Sequence, residues 1–483
     1  MSSTAGWLRL DARLLLVNLS VLAAPVALLA GTLLVTGGDL DLQAIISLGS
    51  LLLAILAVTG IGLMRLITTR YRVTPEQVEF RSGLLFRSHR TIPVNRVRTV
   101  DLDANPVHRV FGLTSLRIGT GSGRDLSLNG ISRQQAATLR RQILDRRGSG
   151  RHAAPAADDP VAELDWAWLR YAPLSVWGIG SVFAAAGTLW RTLREMRIDP
   201  LDLGIVKDVV IRFGAVPLWF GVLSAVLVIA AAGAAVSTAA FVEGWYGYRL
   251  DREGDGDLHV RRGLLVSRSV TIEGRHLRGV EISEPMLMRW TGGARLNAIA
   301  SGLGDRDENR RRRLLSPPGP RAEALRVVAA IQEPAPAALR PHPRIALRRR
   351  VNGALVVVAL IIAPLLCLGL WPAAWITALV LLPAAVALAW DAYRALGHGI
   401  QGRHLVARAG VLDRRTAVLQ RDGIIGWSIS RSPFQRRHGL VTLGATTAAG
   451  DGCYKVRDVP VSAGLRFAEE AVPGLLTRFL VRE

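Results

Sequence analysis

The chain has 483 residues, half of them apolar, and its 60 basic and 38 acidic residues give a net charge of +22. Two cysteines, Cys367 and Cys453, exclude a disulfide framework and a cysteine-rich zinc site. The two lysines, Lys207 and Lys455, exclude a Walker-type phosphate loop, since neither ends a Gly-rich turn.

Apolar blocks and charged segments alternate along the chain. Leu14 to Thr36 and Leu42 to Met64 are uncharged, and a helix crosses a bilayer with about 20 apolar residues. The first block is too long for a cleaved signal and a second follows at once, so residues 1–68 are expected to form a membrane hairpin. A soluble domain is expected over 69–147, then a Gly/Ala/Pro/Asp-rich linker over 148–171. Ala172 to Trp190 and Phe213 to Val242 predict a second hairpin within 172–242, followed by a domain over 243–333 and a Pro-rich linker over 334–350. Val351 to Trp390 is uncharged throughout and breaks at Trp371-Pro372-Ala373-Ala374-Trp375, which predicts a third hairpin over 351–392 before a last domain over 393–483.

Charge follows the same division. Residues 65–147 carry +10, 243–333 carry +3, 334–350 carry +5 and 391–483 carry +6. The turns inside the first and third hairpins hold only Asp39 and Asp41, and the loop Arg191 to Arg212 carries +1. The positive-inside rule then puts both termini and all three domains in the cytoplasm of an inner, cytoplasmic membrane.

The three soluble segments repeat one another. Arg81-Ser82-Gly83-Leu84-Leu85, Arg262-Gly263-Leu264-Leu265 and Arg408-Ala409-Gly410-Val411-Leu412 each precede a basic, β-prone stretch. Pro106, Pro285 and Pro433 stand 23, 22 and 23 residues past the three glycines. Phe111-Gly112-Leu113, Thr291-Gly292-Gly293 and His438-Gly439-Leu440 come just after. In the first unit, strands are expected near Val78 to Phe80, Ser88 to Ile92, Val97 to Leu102, Leu116 to Ile118 and Leu126 to Leu128. An amphipathic helix over Ser132 to Leu144 closes the unit, and helices near Arg321 to Ile331 and Ser462 to Leu480 close the others. Short strands with one closing helix predict a small β-barrel or sandwich.

The hairpin followed by Arg81 to Leu113, with Thr91-Ile92-Pro93 and Arg96-Val97-Arg98, resembles the bacterial pleckstrin-homology-like (bPH2) membrane proteins. The second unit departs through an insert, Asp251 to Asp257, and the loss of Phe-Gly-Leu; the third lacks Thr-Ile-Pro and keeps only Gly439-Leu440. The resemblance implies three PH-like barrels, no agreed catalytic residues, and for some members a link to envelope defence against antimicrobial peptides. The expected fold is thus a membrane protein of six transmembrane α-helices in three hairpins, with three cytoplasmic PH-like β-barrel domains, each closed by a C-terminal helix.

Catalytic motifs are not found. The nine histidines show no metal-ligand spacing, the apolar blocks carry no charged group for an ion path, and Gly119-Thr120-Gly121-Ser122-Gly123 reads as a hairpin turn. No enzyme activity, metal or cofactor is expected. Candidate contacts to anionic lipid or to a partner are Arg87, Arg90, Arg96, Arg98, Arg261, Arg262, Arg268, Arg414 and Arg415, since an arginine near anionic headgroups is worth about 1 kcal/mol. The expected partners are inner-leaflet lipids and a second PH-like membrane protein or another copy of the chain. Nucleic acid is not expected, because no aromatic stacking pattern lies among the arginines. Lipid or small-molecule transport through the six helices is the alternative function.

Overall fold

The computed structural model describes residues 7–20, 26–27, 30, 42–74, 76–82, 88–93, 97, 99–104, 106–119, 126–139, 160–174, 176–195, 217–253, 256–301, 312–332 and 339–476. The chain divides into two bodies, Met1–Thr271 and Ile272–Glu483. The division falls inside the second repeat.

In the first body, β1 (Leu8–Arg9), β2 (Arg70–Val73), β3 (Gln77–Ser82) and β4 (Ser88–Pro93) form a four-stranded sheet in that order. Helices α1 (Leu14–Ser20) and α2 (Leu42–Thr68) lie between β1 and β2 in sequence. A second sheet starts from β5 (Thr99–Ala104), β6 (Leu113–Gly119) and β7 (Leu126–Ser132), with α3 (Pro106–Val110) between β5 and β6 and α4 over residues 133–139. It continues through the second repeat: β11 (Ser267–Ile272) pairs with β5, and β10 (Asp257–Arg262), β9 (Arg249–Glu253) and β8 (Ala162–Glu163) follow. Helices α5 (Val176–Glu195) and α6 (Leu218–Trp245) lie between β8 and β9.

The second body repeats the plan. Strands β12 (Leu277–Pro285), β13 (Gly293–Ala300) and β14 (Gly319–Pro320) enclose α7 (Met286–Trp290) and end in α8 (Arg321–Ile331). The helices α9 (Arg344–Cys367) and α10 (Trp371–Arg394) come next. Then come β15 (Gly397–Gln401), β16 (His404–Ala409) and β17 (Asp413–Gln420). The sheet order is β14-β13-β12-β17-β16-β15, so a strand of the second repeat again pairs with one of the third. A last sheet holds β18 (Ile424–Ser430), β19 (Leu440–Thr447) and β20 (Cys453–Pro460), with α11 (Pro433–Arg437) after β18 and α12 (Val461–Ala471) at the end.

The closed barrel expected for each unit is not found; the described sheets are open. The cause is the pairing between repeats. The third strand of the second and third units finds its neighbour in the preceding unit instead of closing its own sheet. The third unit is therefore a sandwich. Leu405, Ala417 and Leu419 of one sheet and Leu443, Val456 and Val459 of the other share a buried core. Helix α12 closes it with Gly464, Phe467, Ala468 and Ala471 on one stripe, at i, i+3, i+4 and i+7. Burying a side chain such as Phe467 stabilises the unit by roughly 1.5–3 kcal/mol. Tyr71, Val78, Leu116, Ile118, Leu128 and Leu139 form the matching core of the first unit.

The repeat is more regular than its prolines suggest. Each short helix has five residues and starts 23 residues past the glycine, at Pro106, Met286 and Pro433. Pro285 is thus the cap before α7, one place ahead of its counterparts. Gly112, Gly292 and Gly439 follow the helices with φ of 69°, 74° and 61°, a left-handed end that glycine takes at no steric cost. Strands β3, β10 and β16 all begin six residues before the glycine. Asp251 to Asp257 is not an insert: Asp251–Glu253 belong to β9 and Asp257 opens β10, and three residues separate these strands, as they do β2 and β3.

Among the described residues, three helices are long and apolar enough to cross a membrane, Trp219–Trp245, Arg344–Cys367 and Trp371–Arg394, and the Leu52–Thr68 part of α2 is a shorter apolar stretch. Outward-facing residues such as Leu360 and Leu379, 69% and 78% exposed, fit lipid rather than water. Of the six expected spans, much of Leu14 to Thr36 lies outside the described residues. Helices α2, α6 and α10 each run almost directly into a strand: Thr68 to Arg70, Trp245 to Arg249 and Arg394 to Gly397.

Gly279 marks the tightest point of the second joint, because a Cβ there would stand 2.2 Å from the Val418 carbonyl oxygen. Gly279→Val is expected to force β12 and β17 apart at a cost of about 1–3 kcal/mol. The checks are a lower thermal midpoint in detergent and faster tryptic cleavage at Arg414 and Arg415. An unchanged midpoint and cleavage rate would mean the strands do not meet there.

Candidate functional site

Arginine–carboxylate pairs across the joint between the second and third repeats are the main polar constellation among the described residues. The two joints use one register. Counting from each repeat's glycine, Ser267 faces Ala104 and Arg268 faces Asp103 in the first joint. In the second, Arg414 faces Glu284 and Arg415 faces Ser283 at the same four positions. Each joint sets one acidic residue against one basic residue, Asp103 against Arg268 and Glu284 against Arg414, one position apart in the shared register. Opposed charges on facing strands contribute roughly 0.2–1 kcal/mol per pair.

The second joint shows this in side-chain detail. Arg414 donates from Nε and Nη2 to the two Glu284 oxygens at 2.7 and 2.8 Å. Glu284 is 2% exposed and also meets Arg321 at 2.9 Å. Ser283 Oγ donates to Asp413 at 2.8 Å and accepts from Arg295 at 3.2 Å. Arg415 pairs with Asp413 at 2.8 Å and approaches Asp451 at 3.6 Å. Burial works against its charge, but the carboxylates of Glu281, Asp413 and Asp451 hold Arg415 above its ordinary range. Burial likewise raises the Glu281 carboxyl, opposed by Arg415 and Arg313 and by the Asn297 hydrogen bond at 3.2 Å. The bidentate geometry suits arginine, which the chain uses almost to the exclusion of lysine.

The other described candidate arginines differ in their surroundings. Arg87, Arg96 and Arg98 lie outside the described residues. Arg90 is exposed on β4, and Arg261 is exposed on β10. Arg262 is buried and stacks over Trp245 with 4.2 Å between guanidinium and ring centre. Burial, with Arg268 nearby, lowers it to about 10. Arg268 is half-buried on β11. The structure thus gathers Arg414 and Arg415 with carboxylates. The Gly119 to Gly123 turn lies largely outside the described residues.

Sequence reading missed Asp458. A β-bulge between β19 and β20 turns this residue inward, with φ of 61° and 1% exposure. Its carboxylate accepts from Arg349, from Arg350 at 3.2 Å and from Gln435 at 2.8 Å. Arg349 and Arg350 belong to α9, so the bulge ties the last domain to the entry of its own membrane helix. In the first repeat the bulged residue is Gly130, with φ of 85°. A Cβ there would stand 2.8 Å from Leu14 of α1, the entry helix of that unit. The same backbone feature receives an apolar side chain in one repeat and two arginines in another. The only sequence signal was an aspartate two residues before a helix-starting proline–valine pair. Nearby, Arg289 of α7 pairs with Asp391 at the end of α10 at 2.6 Å.

His342 and His398 stack edge to face at 4.9 Å, and Phe467 packs on His398 at 4.8 Å. Burial lowers both imidazoles to about 4, and His398 adds to the effect on His342. The folded pair stays neutral while the unfolded chain takes up protons from about 6.5 downward, so stability is lost as pH falls from about 6.5 to about 4. Thermal midpoints across that range in detergent should fall more steeply for the parent than for the His342→Gln/His398→Phe variant. Parallel curves would contradict the assignment.

A family model described as the bacterial PH domain (bPH_2) matches residues 20–147, 202–333 and 350–470. The chain belongs to that family. It is 23% identical, over 416 residues, to the UPF0699 transmembrane protein YdbT of Bacillus subtilis (strain 168), a match covering 80% of this chain and 82% of that protein. No solved structure matches the chain.

Proposed function

We propose that this member of the bacterial PH domain family is a non-enzymatic, multi-pass scaffold of the inner membrane that docks protein partners through the edges of its PH-like sheets. The observation that carries this reading is the common register of the two joints, each opposing an acidic residue to a basic one. A PH-like unit of this chain therefore recognises another unit by backbone pairing plus charge. Six spans in three hairpins and cytoplasmic domains complete the reading. They are supported by the apolar blocks, by the direct passage of α2, α6 and α10 into strands, and by the basic excess of the soluble segments. Envelope stress or antimicrobial-peptide defence is the setting the family resemblance implies.

Lipid contact is the second reading, favoured by the exposure of Arg90 and Arg261. Mass spectrometry of the intact chain released from nanodiscs containing phosphatidylglycerol separates the two. Docking predicts that Arg90→Gln and Arg261→Gln leave the number of retained anionic lipids unchanged. A loss of retained lipid in these variants would move the function to lipid contact.

A further inference from the structure

Each repeat's short helix stands where an apolar helix meets the soluble segment. In the first repeat, Val107 of α3 and Phe111 just after it pack on Leu14 and Val17, at the start of α1. In the second, Arg289 of α7 pairs with Asp391 of α10 at 2.6 Å. In the third, Gln435 of α11 donates to Asp458, whose other oxygen accepts from Arg350 of α9. All three contacts fall on the boundary between charged and apolar sequence. The apolar blocks open at Leu14 and Val351, and Asp391 follows the uncharged Trp390. As a helix, Trp371 to Trp390 is about 30 Å long, the thickness of a bilayer's hydrocarbon core, so Asp391 lies at its edge.

Positions two and five of a short helix share a face. Here that face is Val107 and Val110 in α3, Leu287 and Trp290 in α7, and Phe434 and Arg437 in α11. The third position of α7 and α11 turns inward, where Met288 and Gln435 are buried. The outer face leaves large apolar side chains uncovered among the described residues: Val110, Trp290 and Phe434 are 81%, 69% and 65% exposed. The third repeat's glycine turn adds the exposed Leu412, whose carbonyl accepts from the Met286 N–H of α7 at 2.7 Å. Single exposed apolar residues are ordinary on a soluble domain. Three on one repeated element, each beside the end of an apolar helix, share one occupant within reach, the bilayer those helices enter. Tryptophan suits that level, because its ring is apolar and its N–H can stay wet. Arg436 and Arg437, exposed on the same short helix as Phe434, suit the headgroups above it.

We infer that α3, α7 and α11 are interfacial anchors that press Val110, Trp290 and Phe434 into the headgroup–acyl boundary of the membrane. The occupant is a lipid surface, met by apolar side chains and not by recognition of anionic headgroups. An apolar face of this kind lies about 5–10 Å into the boundary. The inference goes beyond docking at sheet edges. It adds a second point of attachment beside each spanning helix, which fixes the tilt of a PH-like unit on the membrane.

The test uses the full-length chain in phosphatidylcholine nanodiscs, with Cys367→Ala and Cys453→Ala so that a single introduced cysteine carries a nitrobenzoxadiazole label. Separate variants place it at Trp290→Cys, at Phe434→Cys and, as the reference, at Arg403→Cys. Arg403 is exposed in the β15–β16 turn, a strand's length beyond the end of α10. Phosphatidylcholine bearing a nitroxide near the carboxyl end of its acyl chain is expected to quench the first two labels at least about threefold more than the reference, and aqueous iodide the reverse. Thermal midpoints equal to that of the cysteine-free chain show that the variants fold. Iodide quenching of the first two labels equal to that of the reference would overturn the inference. So would protection of both from lipid and aqueous quenchers alike, since protein would then cover the face. The readout is depth in a neutral bilayer, so the anchors can fail while docking at the sheet edges stands.

Discussion

The structure depends on antiparallel pairing between strands of successive repeats. A β-strand presents N–H and C=O groups on both sides, and an edge left bare is either wetted or filled. Here β11 and β17 are filled by β5 and β12. The repeat's glycine turn determines the register. Gly263 and Gly410 have φ of 110° and 136°, and a Cβ on either would come within 2.0 Å of a carbonyl oxygen. Only glycine fits such a turn. The turn delivers the following strand at one phase, and that phase puts Arg268 against Asp103 and Arg414 against Glu284. Backbone pairing joins the repeats, and at the second joint the Arg414–Glu284 ion pair adds to it.

Within each body the same economy of parts joins soluble and membrane segments. Helices α2, α6 and α10 reach their first strands across one to three residues, too few for an independent swivel. The bulges at Gly130 and Asp458 receive the entry helices α1 and α9. An aspartate in the left-handed region is uncommon and costs conformational energy. Arg349, Arg350 and Gln435 offset that cost by satisfying a carboxylate that burial would otherwise disfavour.

Local features were legible in the sequence and distant ones were not. Gly83, Gly263 and Gly410 marked the repeat. The 3.6-residue stripe of Arg321–Ile331 marked its helix, and strands were anticipated within a few residues of β4, β5 and β6. β2, Arg70–Val73, was not anticipated, although Arg-Tyr-Arg-Val alternates basic and apolar residues. The barrel was misjudged for a different reason. Alternation says which face of a strand is buried, but not which strand lies beside it, and a shared sheet shows the same alternation as a closed one. The acid–base match was present in the residues, yet Glu284 and Arg414 are 130 positions apart. The candidate arginines were chosen for their density, and density does not reveal that Arg414 is committed to a buried carboxylate.

Amide hydrogen exchange on the full-length chain in nanodiscs tests the cross-repeat sheets most directly. The outward-facing amides of β11 and β17 should exchange at least about tenfold more slowly than those of β4, because they are bonded to the preceding repeat. Equal, fast exchange in all three strands would contradict the account, since each repeat would then stand as a separate domain with an open edge of its own.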